Sequence, residues 1–122
     1  MSEPITLRIF ELVGSSLCVA SQDGQQVYDQ IAVALRENQK VRLSFLNIKS
    51  LTSAFLNAAI GQVYGKFPEE QIRNSLSVAD IERDDLVLLS RVVETAKQYF
   101  RSPRQFEAAR QEILGDDDDN EE

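Results

Sequence analysis

The chain has 122 residues, 43% of them hydrophobic and 27% charged, a length and balance that suit one domain with a real core. The net charge is −7, but six acids sit in the end stretch "DDDDNEE" (residues 116–122), so the remaining body is nearly neutral and lacks the clustered Lys and Arg that a nucleic-acid backbone requires. Histidine is absent, which excludes Ser–His and Cys–His catalytic pairs and removes the commonest metal ligand, and a single cysteine, Cys18, excludes an internal disulfide.

The opening "MSEPITLRIF" has no basic segment followed by an apolar one, and no apolar run reaches bilayer-spanning length, so a cytoplasmic protein is expected. Ile5, Leu7 and Ile9 alternate with Thr6 and Arg8, and Phe10 and Leu12 extend the strand-like composition. Gly14-Ser15 followed by "LCVA" (17–20) carries the signature of a type II′ hairpin, which predicts two antiparallel strands.

In "SQDGQQVYDQIAVALREN" the residues Val27, Ile31, Ala34 and Leu35 form one apolar stripe at helical spacing. Asp23 followed by Gln26 fits a capping box, and Asn38 suits the helix end. "KVRLSFLNI" returns to period two, with Val41, Leu43 and Phe45 on one side and Arg42 and Ser44 on the other.

Next comes a helix from 53 to 66, ended before Pro68, with Leu56, Ala59, Ile60, Val63 and Phe67 as its apolar side. Gly61 inside it weakens a helix by about 1 kcal/mol relative to Ala, so a close backbone approach to the sheet is expected there. "PEEQIRN" reads as a helical turn, and "SLSVAD" as a fourth strand with Leu76 and Val78 inward.

From Asp84 to Phe100 a helix is predicted by Leu86, Leu89, Val93, Ala96 and Phe100. A last helix, 103–114, begins with Ser102 as N-cap and Pro103 in the first helical position, and its apolar side is Phe106, Ala109 and Ile113.

The element order is β-β-α-β-α-β-α-α. The strand at 40–47, the helix from 53 and the strand at 75–79 make a βαβ unit with a right-handed crossover. The first hairpin then makes the sheet mixed, so the expectation is an α/β fold of four short strands in a mixed sheet with helices packed on it. Residues 1–101 form the domain, 102–115 a C-terminal helix on or beside it, and 116–122 a disordered acidic tail.

Two hydroxyls, Thr52 and Ser53, stand between a strand-like run and an apolar helix. A hydroxyl at a helix start is an ordinary cap, with Thr52 the natural N-cap and Ser50 the alternative. The first N–H groups and the dipole also make such a place hospitable to an added phosphate. No Gly-rich cradle or Walker lysine accompanies it. A small-molecule or nucleotide binder at this loop is therefore the least supported of three readings.

Strand, polar loop and then "TSAFLNAAIGQVY" resemble the bacterial STAS-like domain family, relatives of the anti-sigma factor antagonists. The matching residues are Phe45, Thr52, Ser53, Ala54, Phe55, Leu56, Asn57, Gly61 and Tyr64, within a resemblance over about residues 5–100. Ser44 takes the place of the family's strand Asp, Thr52 that of the acid before the acceptor, and Phe55 that of the Gly two residues after it.

The resemblance implies a STAS-like fold and a non-enzymatic regulatory domain that works through protein–protein contact. In anti-sigma factor antagonists a serine at this helix start is phosphorylated by a serine kinase of the histidine-kinase-like ATPase fold, and phosphorylation releases the partner. Ser53 matches that acceptor, with Thr52 and Ser50 as fallbacks; Phe55 and Asn57 are the candidate partner contacts. No catalytic residue, cofactor or metal is expected, and neither nucleic acid nor membrane is an expected partner. The competing expectation is a constitutive, unphosphorylated adaptor that associates with a partner or with itself, as a homodimer, through a sheet edge or the 103–114 helix.

Overall fold

The computed structural model describes residues 3–101; the helix expected at 103–114 and the acidic tail lie outside them. The elements run β1 (Ile5–Arg8), α1 (Ile9–Val13), β2 (Leu17–Cys18), α2 (Ser21–Arg36), β3 (Val41–Ser44), β4 (Ser50–Leu51), α3 (Ser53–Ala59), a 3₁₀ helix (Gly61–Gly65), α4 (Glu69–Ser75), β5 (Leu76–Ala79) and α5 (Arg83–Arg101). The fold is α/β.

The main sheet has three strands in the order β1-β3-β5, all parallel. Its register explains why one face is buried. Ile5, Val41 and Leu76 lie in one row, and Leu7, Leu43 and Val78 in the next on the same face. The row between them is Thr6, Arg42 and Ser77, all exposed on the opposite face. Val41, Leu43 and Phe45 are buried and Arg42 is exposed as the spacing predicts, whereas Ser44, expected on the side of Arg42, is buried too. Helices cover the apolar face, and the core gathers around Ile9, Ile31, Leu35, Leu43, Phe55 and Leu56. Ser44 is also buried; its hydroxyl donates to the Asp80 carboxylate at 2.7 Å and accepts from the Leu46 N–H at 3.3 Å, so its polarity is satisfied.

The predicted hairpin does not form. β1 stops at Arg8, and "IFELV" turns into α1, burying Ile9 fully and packing Leu12 and Val13 against the core while Phe10 stays exposed. Gly14, at φ 80°, ends this helix, and its N–H reaches the Phe10 carbonyl at 2.8 Å. The glycine is needed for a left-handed helix end and not for a II′ turn. β3 lies beside β1 in the place a hairpin partner would take, while β2 pairs in parallel with β4 as a separate two-stranded ribbon. The mixed sheet of four strands is replaced by parallel sheets of three and two strands among the described residues.

Three smaller expectations also change. α2 begins at Ser21 with Ala20 as N-cap and no side-chain cap, so Asp23 and Gln26 form no capping box; Asp23 lies in the first turn, where its charge favours the dipole. The helix from 53 breaks after Ala59 at Ile60 (φ −120°), and the chain continues as the 3₁₀ helix. Gly61 faces the Asn57 side chain and, at 3.7 Å from where a Cβ would lie, Val92 of α5; the close approach is to a helix and not to the sheet. On α5, Leu89, Val92 and Ala96 are the buried residues, whereas Leu86 and Phe100 are exposed.

The remaining elements agree with the pattern. Val27, Ile31, Ala34 and Leu35 are all buried on α2, and Asn38 (φ 60°) takes the left-handed position after it. β3 and β5 are parallel with α3 between them in sequence, as a βαβ unit requires. No helix among the described residues is long and apolar enough to cross a membrane.

Candidate functional site

The β2–β4 ribbon positions the start of α3. Leu17 pairs with Ser50 and Cys18 with Leu51, and the Thr52 N–H continues to the Cys18 carbonyl at 3.2 Å. Thr52 is the N-cap, extended at φ −122° and ψ 160°. Its hydroxyl accepts from the Phe55 N–H at 3.1 Å and donates to the Val19 carbonyl at 2.7 Å. A hydroxyl has one proton to give, so Thr52 is committed as both cap and clamp. As a fallback acceptor it would have to break both bonds. Ser50 is exposed on β4, where its backbone is held in the ribbon.

Ser53 is the first residue of α3 and is exposed; no described residue hydrogen-bonds its hydroxyl. It stands at a groove of about 510 Å³ between α3 and α5. Ala54, Leu88 and Val92 give this groove an apolar floor. Ser53 and Asn57 from α3, with Arg91 and Thr95 from α5, supply its polar groups. Asn57 follows Ser53 by four residues and so shares its helix face. Arg91 is exposed and makes no ion pair among the described residues. Among those residues it is the one charged side chain lining the groove.

Phe55, a candidate contact in the sequence, is fully buried in the core. A helix places residues two apart on different faces, so while Ser53 looks outward Phe55 looks in. It cannot touch a partner in this fold, and the candidate surface passes to Asn57, Arg91 and Thr95. The stripe expected on α5, Leu86-Leu89-Val93-Ala96-Phe100, leaves Arg91 outside it. A second row, Leu88-Val92-Thr95 with Arg91 beside it, also repeats at helical spacing and is the side that lines the groove.

Two other places are chemically quieter. A cavity of about 200 Å³ lies among Tyr64, Phe67, Glu69, Lys97, Phe100 and Arg101. Its charges already satisfy one another: Arg101 donates to Glu69 at 2.8 and 3.0 Å, and Lys97 lies 3.9 Å from the same carboxylate. The hydrogen bond from Arg101, with the nearby positive charges, holds the Glu69 carboxyl below its usual range despite some desolvation. The Tyr64 hydroxyl is pushed up by burial and by Glu69 and Glu94. Cys18, the buried residue of β2, has its thiol pushed up to about 11, mainly by burial and secondarily by Asp23. Among the described residues no cluster of acidic or thiol side chains has the make-up of a metal site.

No curated protein and no solved structure matches this chain. The model of one family, described as a STAS-like domain of unknown function (DUF4325), matches residues 23–86. That span runs from the first turn of α2 through the ribbon, the cap and α3 to the first turn of α5, just over half of the chain. The motif "TSAFLNAAIGQVY" (52–64) lies within it, while the resemblance expected over about residues 5–100 is matched over this shorter span. The chain belongs to this STAS-like domain family.

Proposed function

We propose that this protein is a non-enzymatic regulatory domain that switches protein partners through phosphorylation of Ser53, in the manner of an anti-sigma factor antagonist. The observation that carries the reading is the contrast between adjacent hydroxyls. Thr52 is bonded on both sides, whereas Ser53 is exposed, bonded by no described residue, and set beside the groove. The helix start is thus stabilised without Ser53, which leaves its hydroxyl open to a kinase.

In the proposed step an ATPase-fold serine kinase transfers the γ-phosphoryl of ATP to Ser53 Oγ. The Oγ–P bond forms, the bond to the ADP leaving group breaks, and the hydroxyl proton passes to solvent. The product carries nearly two negative charges on the partner-facing surface. Asn57 and the polar edge of the groove are the contacts that a partner would lose.

The test has two parts. Mass spectrometry of protein purified from its source cells should find phosphate on Ser53. Immobilised Ser53→Asp should release an ATPase-fold kinase that wild type retains. Equal capture by the two, with Ser53 unmodified in cells, would favour the constitutive adaptor instead. That second reading draws on the edge of the sheet, where β1 pairs on one side only among the described residues and Ile5 is 36% exposed.

A further inference from the structure

We propose that Arg91 is the internal receiver of the phosphoryl group: once Ser53 is phosphorylated, the Arg91 guanidinium pairs with it across the groove and closes the partner site from within. This inference rests on Ser53 being the modified residue.

The groove is electrostatically one-sided. Its lining contains one charged side chain, Arg91, and no carboxylate among the described residues. Elsewhere on the molecule two arginines have acids beside them: Arg101 is paired with Glu69, and Arg8 lies 3.8 Å from Glu11. Arg91 has none among the described residues, although Asp84, Asp85 and Glu94 stand on the same helix. Among the described residues the unmodified protein therefore presents an unpaired guanidinium lining the same cavity as an unbonded serine hydroxyl.

A phosphoryl group on that serine supplies the complement that is absent. Its three acceptor oxygens suit the two-pronged guanidinium fork. The Asn57 amide, on the same face of α3 four residues later, offers a further donor to the same group, and the Thr95 hydroxyl lines the cavity from α5. The apolar floor of Ala54, Leu88 and Val92 lies beneath, so a phosphate drawn inward covers the surface that an apolar partner residue would use. Modification then acts by occupancy as well as by repulsion. In the unphosphorylated state Arg91 is available to a carboxylate of the partner, and the phosphate competes for that guanidinium.

The experiment uses full-length protein with phosphoserine genetically encoded at position 53, so it does not depend on any kinase. The phosphate's second pKa is read by ³¹P NMR titration and compared between the Arg91 protein, Arg91→Lys and Arg91→Gln, with far-UV circular dichroism to show that each is folded. Pairing lowers that pKa from its ordinary value near 6 by about half a unit relative to Arg91→Gln. Arg91→Lys should fall between the two. Lowering also means that the pairing stabilises the fold above the ordinary pKa and is lost as pH falls through the lowered one. The midpoint of thermal unfolding at pH 8 should therefore exceed that at pH 5 by more in the Arg91 protein than in Arg91→Gln.

Identical titrations in the Arg91 protein and the Arg91→Gln variant would overturn the inference, even if Ser53 were found phosphorylated in cells. An unmodified Ser53 in cells with a lowered pKa in the encoded protein would instead overturn the proposed function and leave the geometry standing.

Discussion

Thr52 and Ser53 are adjacent hydroxyls in different settings, and single substitutions should separate them. Thr52→Val keeps the side-chain shape but removes the cap to Phe55 and the bond to the Val19 carbonyl. Losing a cap and a second hydrogen bond should lower the unfolding free energy by about 1–2 kcal/mol in urea, and Thr52→Ser should retain most of it. Ser53→Ala removes a hydroxyl that no described residue bonds, so its stability should stay within about 0.5 kcal/mol of wild type. Cys18 provides a third test. Burial pushes its thiol from 9.0 to about 11, so iodoacetamide should leave the native protein unlabelled near neutral pH and label it promptly in denaturant. The sign for stability follows from which form the fold favours. The contribution is intact below the unfolded pKa of 9.0 and declines as pH rises towards about 11, because the unfolded thiol ionises first.

Helix packing sets the position of the groove, and Gly24 is where this is tightest. A Cβ on Gly24 of α2 would collide with the Phe55 carbonyl oxygen, and would lie 2.9 Å from the Ala58 Cβ and 3.2 Å from the Ala59 nitrogen of α3. Two of those atoms are backbone, so no rotamer change relieves them. Gly24→Ala puts two effects in opposition. Helix propensity favours Ala by about 1 kcal/mol, while overpacking costs about 1–3 kcal/mol and here involves backbone. The steric effect should win, giving a lower midpoint in thermal unfolding; a raised midpoint would mean that α2 and α3 are not so close. α1 shows a related limit of local pattern. Ile9, Leu12 and Val13 have the three-and-four spacing of a helix, yet Ile5, Leu7 and Ile9 also alternate as a strand would. Five residues of helix are too few for periodicity to outweigh the strand before them. Gly61 was legible as an irregularity, but its neighbour was not, since only packing brings Asn57 and Val92 against it.

For the molecule as a whole, the central strand and the small ribbon should differ sharply in stability. β3 is bonded on both sides, by β1 and β5, and carries the buried Val41 and Leu43. β2 and β4 share two residue pairs and include the exposed Leu17 and Ser50. Native-state hydrogen exchange should find the slowest amides in β3 and early opening in the ribbon. Uniform protection would contradict this layering. The consequence for function is local: the ribbon anchors Thr52, so opening it loosens the start of α3 and the mouth of the groove without unfolding the sheet.

Features that arise between near neighbours in the chain can be read without the fold. α2 and α5 were legible because many apolar residues repeat at one spacing, and the start of α3 because Thr52 caps locally through the Phe55 N–H. The buried face of β3 was legible for the same reason, since a strand sorts its side chains by simple alternation. Which strands pair, and in which direction, is settled by long-range packing, because β1 and β3 lie more than thirty residues apart and no turn between them specifies the match. The same packing settles the burial of Phe55 and the placement of Arg91 at the groove. Both depend on what α2 and α5 bring against α3, and a groove between two helices is a property of their docking, which neither helix encodes alone.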